Sequence, residues 1–215
     1  MECVILLHGL ARTTSSFNVM EKQLKLSGYS VINQSYPSRQ FDIETLAKET
    51  LPKALKKCPE STKSIHFVTH SLGGILLRQY LSTAKIDKLG HTVMLGPPNK
   101  GSEVVDNLKK WGIFQIANGP AGSQLGTDAN AIPMRLPHAN FKVGIIAGNR
   151  SINWMLSTMI PGEDDGKVSV ERTKLKGMTD HIVLPVTHPM MMRNMQVIKQ
   201  TKMFLKNGIF SPKNR

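Results

Sequence analysis

The sequence predicts an α/β protein built on a parallel sheet, and three observations carry that prediction. Six apolar runs rich in β-branched residues recur along the chain, at 3–7, 30–35, 64–69, 91–95, 141–147 and 181–186. Helical patterns fill most of the gaps between them, and strands alternating with helices give βαβ units. The third observation is the segment Thr69-His70-Ser71-Leu72-Gly73-Gly74, which joins the strand pattern Ile65-His66-Phe67-Val68 to a helical pattern at Ile75, Leu76, Leu77, Tyr80 and Leu81. A strand, a tight turn carrying a serine and a helix follow one another there.

Each element has its own signals. Phe17, Met20 and Leu24 mark the first helix, which Ser27-Gly28 ends. Ile43, Leu46, Ala47, Leu51, Ala54, Leu55 and Cys58 mark the second, with Asp42 as its N-cap. Pro52 lies inside that pattern and is expected to kink or split the helix, because proline removes a helical donor and crowds the preceding turn. The last helix is expected over 190–206, with Val197, Ile198, Thr201 and Leu205 facing the sheet and Arg193, Gln196, Gln200 and Lys206 facing away. A length of 215 residues suits one domain spanning 1–215, with no internal repeat. The connections 96–140 and 148–164 are read as pocket-forming loops, and their apolar clusters make Trp111, Trp154 and Met155 candidate pocket residues.

Composition narrows the function classes. The net charge of +13 comes from 28 Lys+Arg against 15 Asp+Glu, and no aromatic residues interleave with the lysines in an RNA- or DNA-binding pattern. Nucleic acid is therefore excluded as a partner. Charge alone permits contact with anionic membrane surfaces or acidic substrates. No apolar run approaches the roughly 18 residues of a spanning helix, and Met1-Glu2 leads straight into the first strand without a basic leader. Cys3 and Cys58 have neither metal nor redox spacing and read as two free thiols of a soluble, cytoplasmic chain. The oligomeric state is not legible.

A serine at the tip of a strand-to-helix turn is held in a strained backbone conformation that lifts its hydroxyl clear of its neighbours. That hydroxyl is a poor nucleophile until a base oriented by a buried acid activates it. In this architecture the acid and then the histidine follow the serine in the chain. After Ser71, and beyond the fifth strand pattern, the candidate acids are Glu163, Asp164, Asp165, Glu171 and Asp180. Asp165 is favoured because it opens the turn Asp165-Gly166-Lys167-Val168-Ser169, with Asp164 and Glu163 as alternatives. Two histidines follow: His181 at the mouth of the final strand, and His188 just past its C-terminal end, where α/β sites gather. His188 is the expected base. No H-E-x-x-H, EF-hand or paired C-x-x-C occurs, and 96–102 lacks the Gly-Lys-Ser/Thr ending of a phosphate loop. No metal or other cofactor is expected.

With these residues in view, the chain resembles the α/β-hydrolase superfamily, in particular the small bacterial lipases and esterases. The matching pieces are His8-Gly9-Leu10 after the first strand, His70-Ser71-Leu72-Gly73-Gly74 at the elbow, Asp165-Gly166-Lys167-Val168 and the late His188. The resemblance implies a reduced, mostly parallel six-stranded sheet with helices on both faces. It also implies an oxyanion hole from the backbone N–H groups of Leu10 and Leu72, with His8 shaping the loop rather than acting as base. Thr69 stands where the family's G-x-S-x-G pattern has glycine. The implied activity is hydrolysis of short-to-medium acyl esters, from small molecules or lipids, through an acyl-enzyme on Ser71. A thioesterase, amidase or acyltransferase could use the same triad, and a non-catalytic binding protein could keep the fold. The run Met190-Met191-Met192 reads as core filler at a helix start, the alternative being an acyl-binding strip.

Overall fold

Alternation along the first strand sets up a core on both faces of a sheet. In the computed structural model, which describes residues 1–108, 112–152 and 157–211, β1 (Glu2–Leu7) turns Val4 and Leu6 to one face and Cys3, Ile5 and Leu7 to the other. All five side chains are fully buried. A strand apolar on both sides belongs in the interior of a covered parallel sheet. The remaining strands are β2 (Ser30–Gln34), β3 (Ser64–His70), β4 (Leu89–Leu95), β5 (Val143–Gly148) and β6 (Asp180–Leu184). All neighbours pair in parallel in the order β2-β1-β3-β4-β5-β6.

Helices cover both faces. On the Val4 face lie α1 (Asn18–Leu26), through Met20 and Leu24, and the C-terminal helix Met195–Asn207, through Val197, Ile198, Phe204 and Leu205. On the Ile5 face lie α2 (Ile43–Leu55), through Ile43, Leu46, Ala47 and Leu51, and α3 (Leu72–Thr83), through Leu72, Ile75 and Leu76. The connection 96–140 is more ordered than a loop: it holds α4 (Glu103–Leu108), α5 (Gly112–Ser123) and α6 (Ile132–Arg135). Val105, Ala121, Leu125 and Ile132 join the Ile5-face core from these segments. In α5, Gly119 breaks the helical geometry at φ 67°, and a Cβ there would lie 1.9 Å from the carbonyl oxygen of Arg39. Only glycine meets both conditions. A short α7 (Val170–Thr173) precedes β6, and α8 is the helix Met195–Asn207.

Three local expectations are corrected. Asp42 caps α2 as expected, accepting from the Thr45 N–H at 2.7 Å, but the helix is not split at Pro52. The helix runs on through Pro52 to Leu55, and the Lys56 N–H donates to the Pro52 carbonyl at 3.1 Å. The final helix begins at Met195, after a 3₁₀ turn at His188–Met190, because the Asn194 side chain captures the N–H groups of Gln196 and Val197. Met191 and Met192 are core residues. Gln200, expected outside, is buried and accepts from the Ser211 N–H at 2.8 Å, so the folded-back C-terminal segment covers that side.

The two thiols are also corrected, because Cys3 and Cys58 form a disulfide with their Cα atoms 5.9 Å apart. They are 55 residues apart in sequence. In space, α2 runs back against the strand direction and returns the chain to the sheet edge where β1 begins. The reading of a reducing compartment rested on free thiols and loses that basis. Among the described residues no helix is long and apolar enough to cross a membrane.

Candidate active site

Parallel register brings the strand ends to one edge: Leu7 pairs with Gln34 and Thr69, His70 with Leu95, and Gly148 with Leu184. The segments leaving those ends carry Leu10, Ser71, Asp165 and His188. At the tip of β3, Ser71 has φ 51° and ψ −119°, one of two non-glycine residues with positive φ among those described. The turn is locked: the Ser71 N–H donates to Leu95 at 2.9 Å, and its carbonyl accepts from the Gly74 N–H at 3.0 Å. A strained, over-determined serine at a strand-to-helix junction has the geometry of a nucleophile elbow.

The glycines after it let α3 cross the sheet closely. A Cβ at Gly73 would lie 2.4 Å from the Leu7 carbonyl oxygen and 2.9 Å from that of His8. Gly74 faces Thr69, whose Oγ1 would be 3.2 Å from an added Cβ. Thr69 is tolerated in place of glycine because the closest approach of helix to strand falls at Gly73.

His188 and Asp165 form a buried pair. The His188 Nδ1 lies 2.7 Å from Asp165 Oδ2, and Asp165 Oδ1 accepts from the N–H groups of Lys167 at 3.0 Å and Val168 at 2.9 Å. Asp164 points elsewhere, accepting from Ser157 Oγ at 2.9 Å and the Gly166 N–H at 2.6 Å. Glu163 is exposed, and Asp180 accepts at the start of β6 from the N–H groups of His181 and Phe210. His181 bonds Thr173, and burial with the nearby charge of Lys174 pushes it down to about 4. Of the candidates, only Asp165 and His188 come together.

Ser71, His188, Leu10, Pro98, Ser102 and Val168 share a cavity of about 240 Å³. Leu72 is the first residue of α3, so its N–H has no helical carbonyl a turn behind it. The loop bearing Leu10 is fixed from β2's exit: the Tyr36 hydroxyl donates to the His8 carbonyl, the two rings stack at 4.1 Å, and Ser38 Oγ accepts from the Ala11 N–H at 3.0 Å. Ala11 is the other non-glycine residue with positive φ among those described, at 53°. Trp111, Trp154 and Met155 lie outside the described residues. Among the described residues no cluster of His, Cys, Asp or Glu could hold a metal ion.

Two supporting residues escape sequence reasoning. His70 is buried, its Nε2–H donates to the His188 carbonyl at 3.0 Å, and its ring packs 4.6 Å from that of His188. Burial, reinforced by the charges of His188, Arg12 and His8, pushes it well below the ordinary imidazole range, so it is neutral. Arg78 on α3 is buried and donates to Asn99, Pro133, Leu136 and Pro137, pinning the 96–140 connection to the fold. Burial pulls its guanidinium down to about 10. The histidine beside the elbow serine was a visible signal, whereas a lone helical arginine was not.

No protein-family model matches the chain, and no curated protein matches it in sequence. Solved structures do match in shape. The mature lipase BlEst2 of Bacillus licheniformis is 20% identical, with a TM-score of 0.73 over 94% of this chain and 90% of its own. The metagenomic carboxyl esterase MGS0156 is 17% identical, with a TM-score of 0.66 over 87% of this chain and 64% of its own. An extracellular α/β-hydrolase from a Paenibacillus species is 13% identical, with a TM-score of 0.59 over 95% and 98%. The chain has the α/β-hydrolase fold, in a reduced form with a six-stranded, all-parallel sheet.

Proposed function

We propose that this chain is a serine hydrolase of carboxylic esters, working through an acyl-enzyme on Ser71. The observation that carries the reading is the buried Asp165–His188 pair opening on the same cavity as the strained Ser71. His188 Nε2 takes the Ser71 proton as Oγ attacks the ester carbonyl, then returns it to the leaving alcohol. Water repeats the sequence to free the acid. Asp165 holds the Nδ1–H tautomer and stabilises the imidazolium. The N–H groups of Leu10 and Leu72 receive the developing oxyanion, each worth roughly 3 kcal/mol in the transition state. Similarity in fold to a lipase and a carboxyl esterase supports the ester class.

The size of the site supports short-to-medium acyl chains. Its 240 Å³ fall below the roughly 300–1,000 Å³ of pockets that enclose drug-sized ligands. Arg78 and the Glu103–Arg172 ion pair tie the surrounding segments down, which supports fixed walls over a mobile lid. A panel of 4-nitrophenyl esters from acetate to palmitate tests the reading, alongside Ser71→Ala. Turnover is expected to peak at or below about eight carbons and to fall by roughly 10⁴–10⁶ in the variant. Undiminished hydrolysis by Ser71→Ala would refute the assignment.

A further inference from the structure

The cavity wall carries two cations that the proposed ester chemistry does not use. Arg12 follows the oxyanion loop, Lys167 lies in the acid turn, and both line the cavity of Ser71 and His188. No carboxylate is among its described lining residues. Neither head group has an ion-pair or hydrogen-bond partner among the described residues. The acids nearby are engaged elsewhere: Glu103 with Arg172, Glu171 with Lys100 and Lys174, Asp165 with His188, and Asp164 with Ser157.

The backbones beneath both cations are held. The Arg12 N–H donates to the Gly9 carbonyl at 3.3 Å, next to Ala11 at its positive φ. The Lys167 N–H donates to Asp165, and its carbonyl accepts from Ser102 Oγ at 2.8 Å. Both residues are exposed at the cavity wall. Desolvation there lowers the Lys167 ammonium from its usual range, the field of Arg12 lowers it further, and the Asp165 carboxylate opposes them. An anion between them would relieve that repulsion and gain charge-assisted hydrogen bonds from a planar fork and an ammonium.

We propose that Arg12 and Lys167 form an anion-binding pair at the mouth of this cavity, so that the preferred substrate is an ester bearing a carboxylate or phosphate group. The proposal rests on Ser71 being the nucleophile of the same cavity. It is tested by comparing two isosteric substrates, the 4-nitrophenyl monoester of adipic acid and the corresponding adipamide ester, after correction for spontaneous hydrolysis. The readout is the ratio of their kcat/KM values. Wild type is expected to favour the charged ester about tenfold, the worth of one charge-assisted hydrogen bond. In the double variant R12Q/K167Q the ratio is expected to fall to about one, and in wild type to shrink with added salt. Hexyl phosphate and hexanoate, as competitive inhibitors, distinguish the two anions: the tighter one identifies the group, and its inhibition is expected to weaken at least fivefold in R12Q/K167Q. A wild-type ratio of one or less, or a ratio unchanged in the double variant, overturns the pair. Failure to hydrolyse either ester would instead overturn the role of Ser71.

Discussion

Asp165 and His188 are joined twice, by their side chains at 2.7 Å and by the His188 N–H donating to the Asp165 carbonyl at 2.9 Å. The backbone bond fixes the spacing of the two turns, and the side-chain bond then fixes the imidazole. Asp164, one residue earlier, makes neither contact.

Asp165→Asn is expected to lower kcat by roughly 10³-fold or more, because an amide cannot hold the productive tautomer or stabilise the imidazolium. Asp164→Asn is expected to cost only a few-fold, through its turn with Ser157 and Gly166. Steady-state kinetics on a soluble ester separates them. Equal losses would mean that the double link is not what orients His188.

Gly96 guards the same pair from the other side. It sits at φ 52°, and a Cβ there would lie 2.9 Å from Asp165 Oδ2 and 3.0 Å from His188 Nδ1. Gly96→Ala should cost at least about 10²-fold in kcat, the scale of a misplacement near 1 Å. Gly28→Ala shares a positive φ but meets nothing within 4 Å, so it should lower stability by about 1 kcal/mol and spare activity. Matching activity in the two purified variants would contradict the packing argument.

The Cys3–Cys58 bridge lies at the edge of the sheet opposite the cavity. Closing a long loop in the unfolded chain, it should contribute about 2–4 kcal/mol. Reduction, or Cys58→Ser, is expected to lower the urea midpoint while leaving kcat unchanged at 25 °C. Intact mass before and after alkylation reports whether the bridge is present, and two freely alkylated thiols in the native protein would show it is not.

Stability should fall on mild acidification. His181 is held at about 4 in the folded chain, against 6.5 when unfolded, so below pH 6.5 the unfolded chain binds the proton first. Burial lowers His8 and His70 as well, with the same sign. The urea midpoint should therefore decline between pH 6.5 and pH 5, and more shallowly in His181→Gln, which can keep a bond to Thr173. A flat midpoint over that window would contradict neutral burial of these rings.

Much of this was legible in the sequence because the signals were local. β-Branched runs marked the six strands, and an Asp-Gly turn marked Asp165. Thr69-His70-Ser71 between strand and helix marked the elbow. What depended on tertiary proximity was not legible. His70 acts on His188 across 118 residues, and Cys3 meets Cys58 only because α2 runs back along the sheet. The apolar run before Asn194 hid the true start of α8, since capping outweighed hydrophobic pattern there. Gln200 followed the solvent face of its helix until the chain folded back over it.

The central claim is that Ser71 is the activated nucleophile, and active-site labelling tests it most directly. The native protein is treated with a fluorophosphonate, digested and mapped by mass spectrometry. The account predicts one adduct, on Ser71, formed at a rate that Asp165→Asn slows strongly and Asp164→Asn hardly at all. No adduct, or an adduct on another residue with Ser71 unmodified, would contradict it.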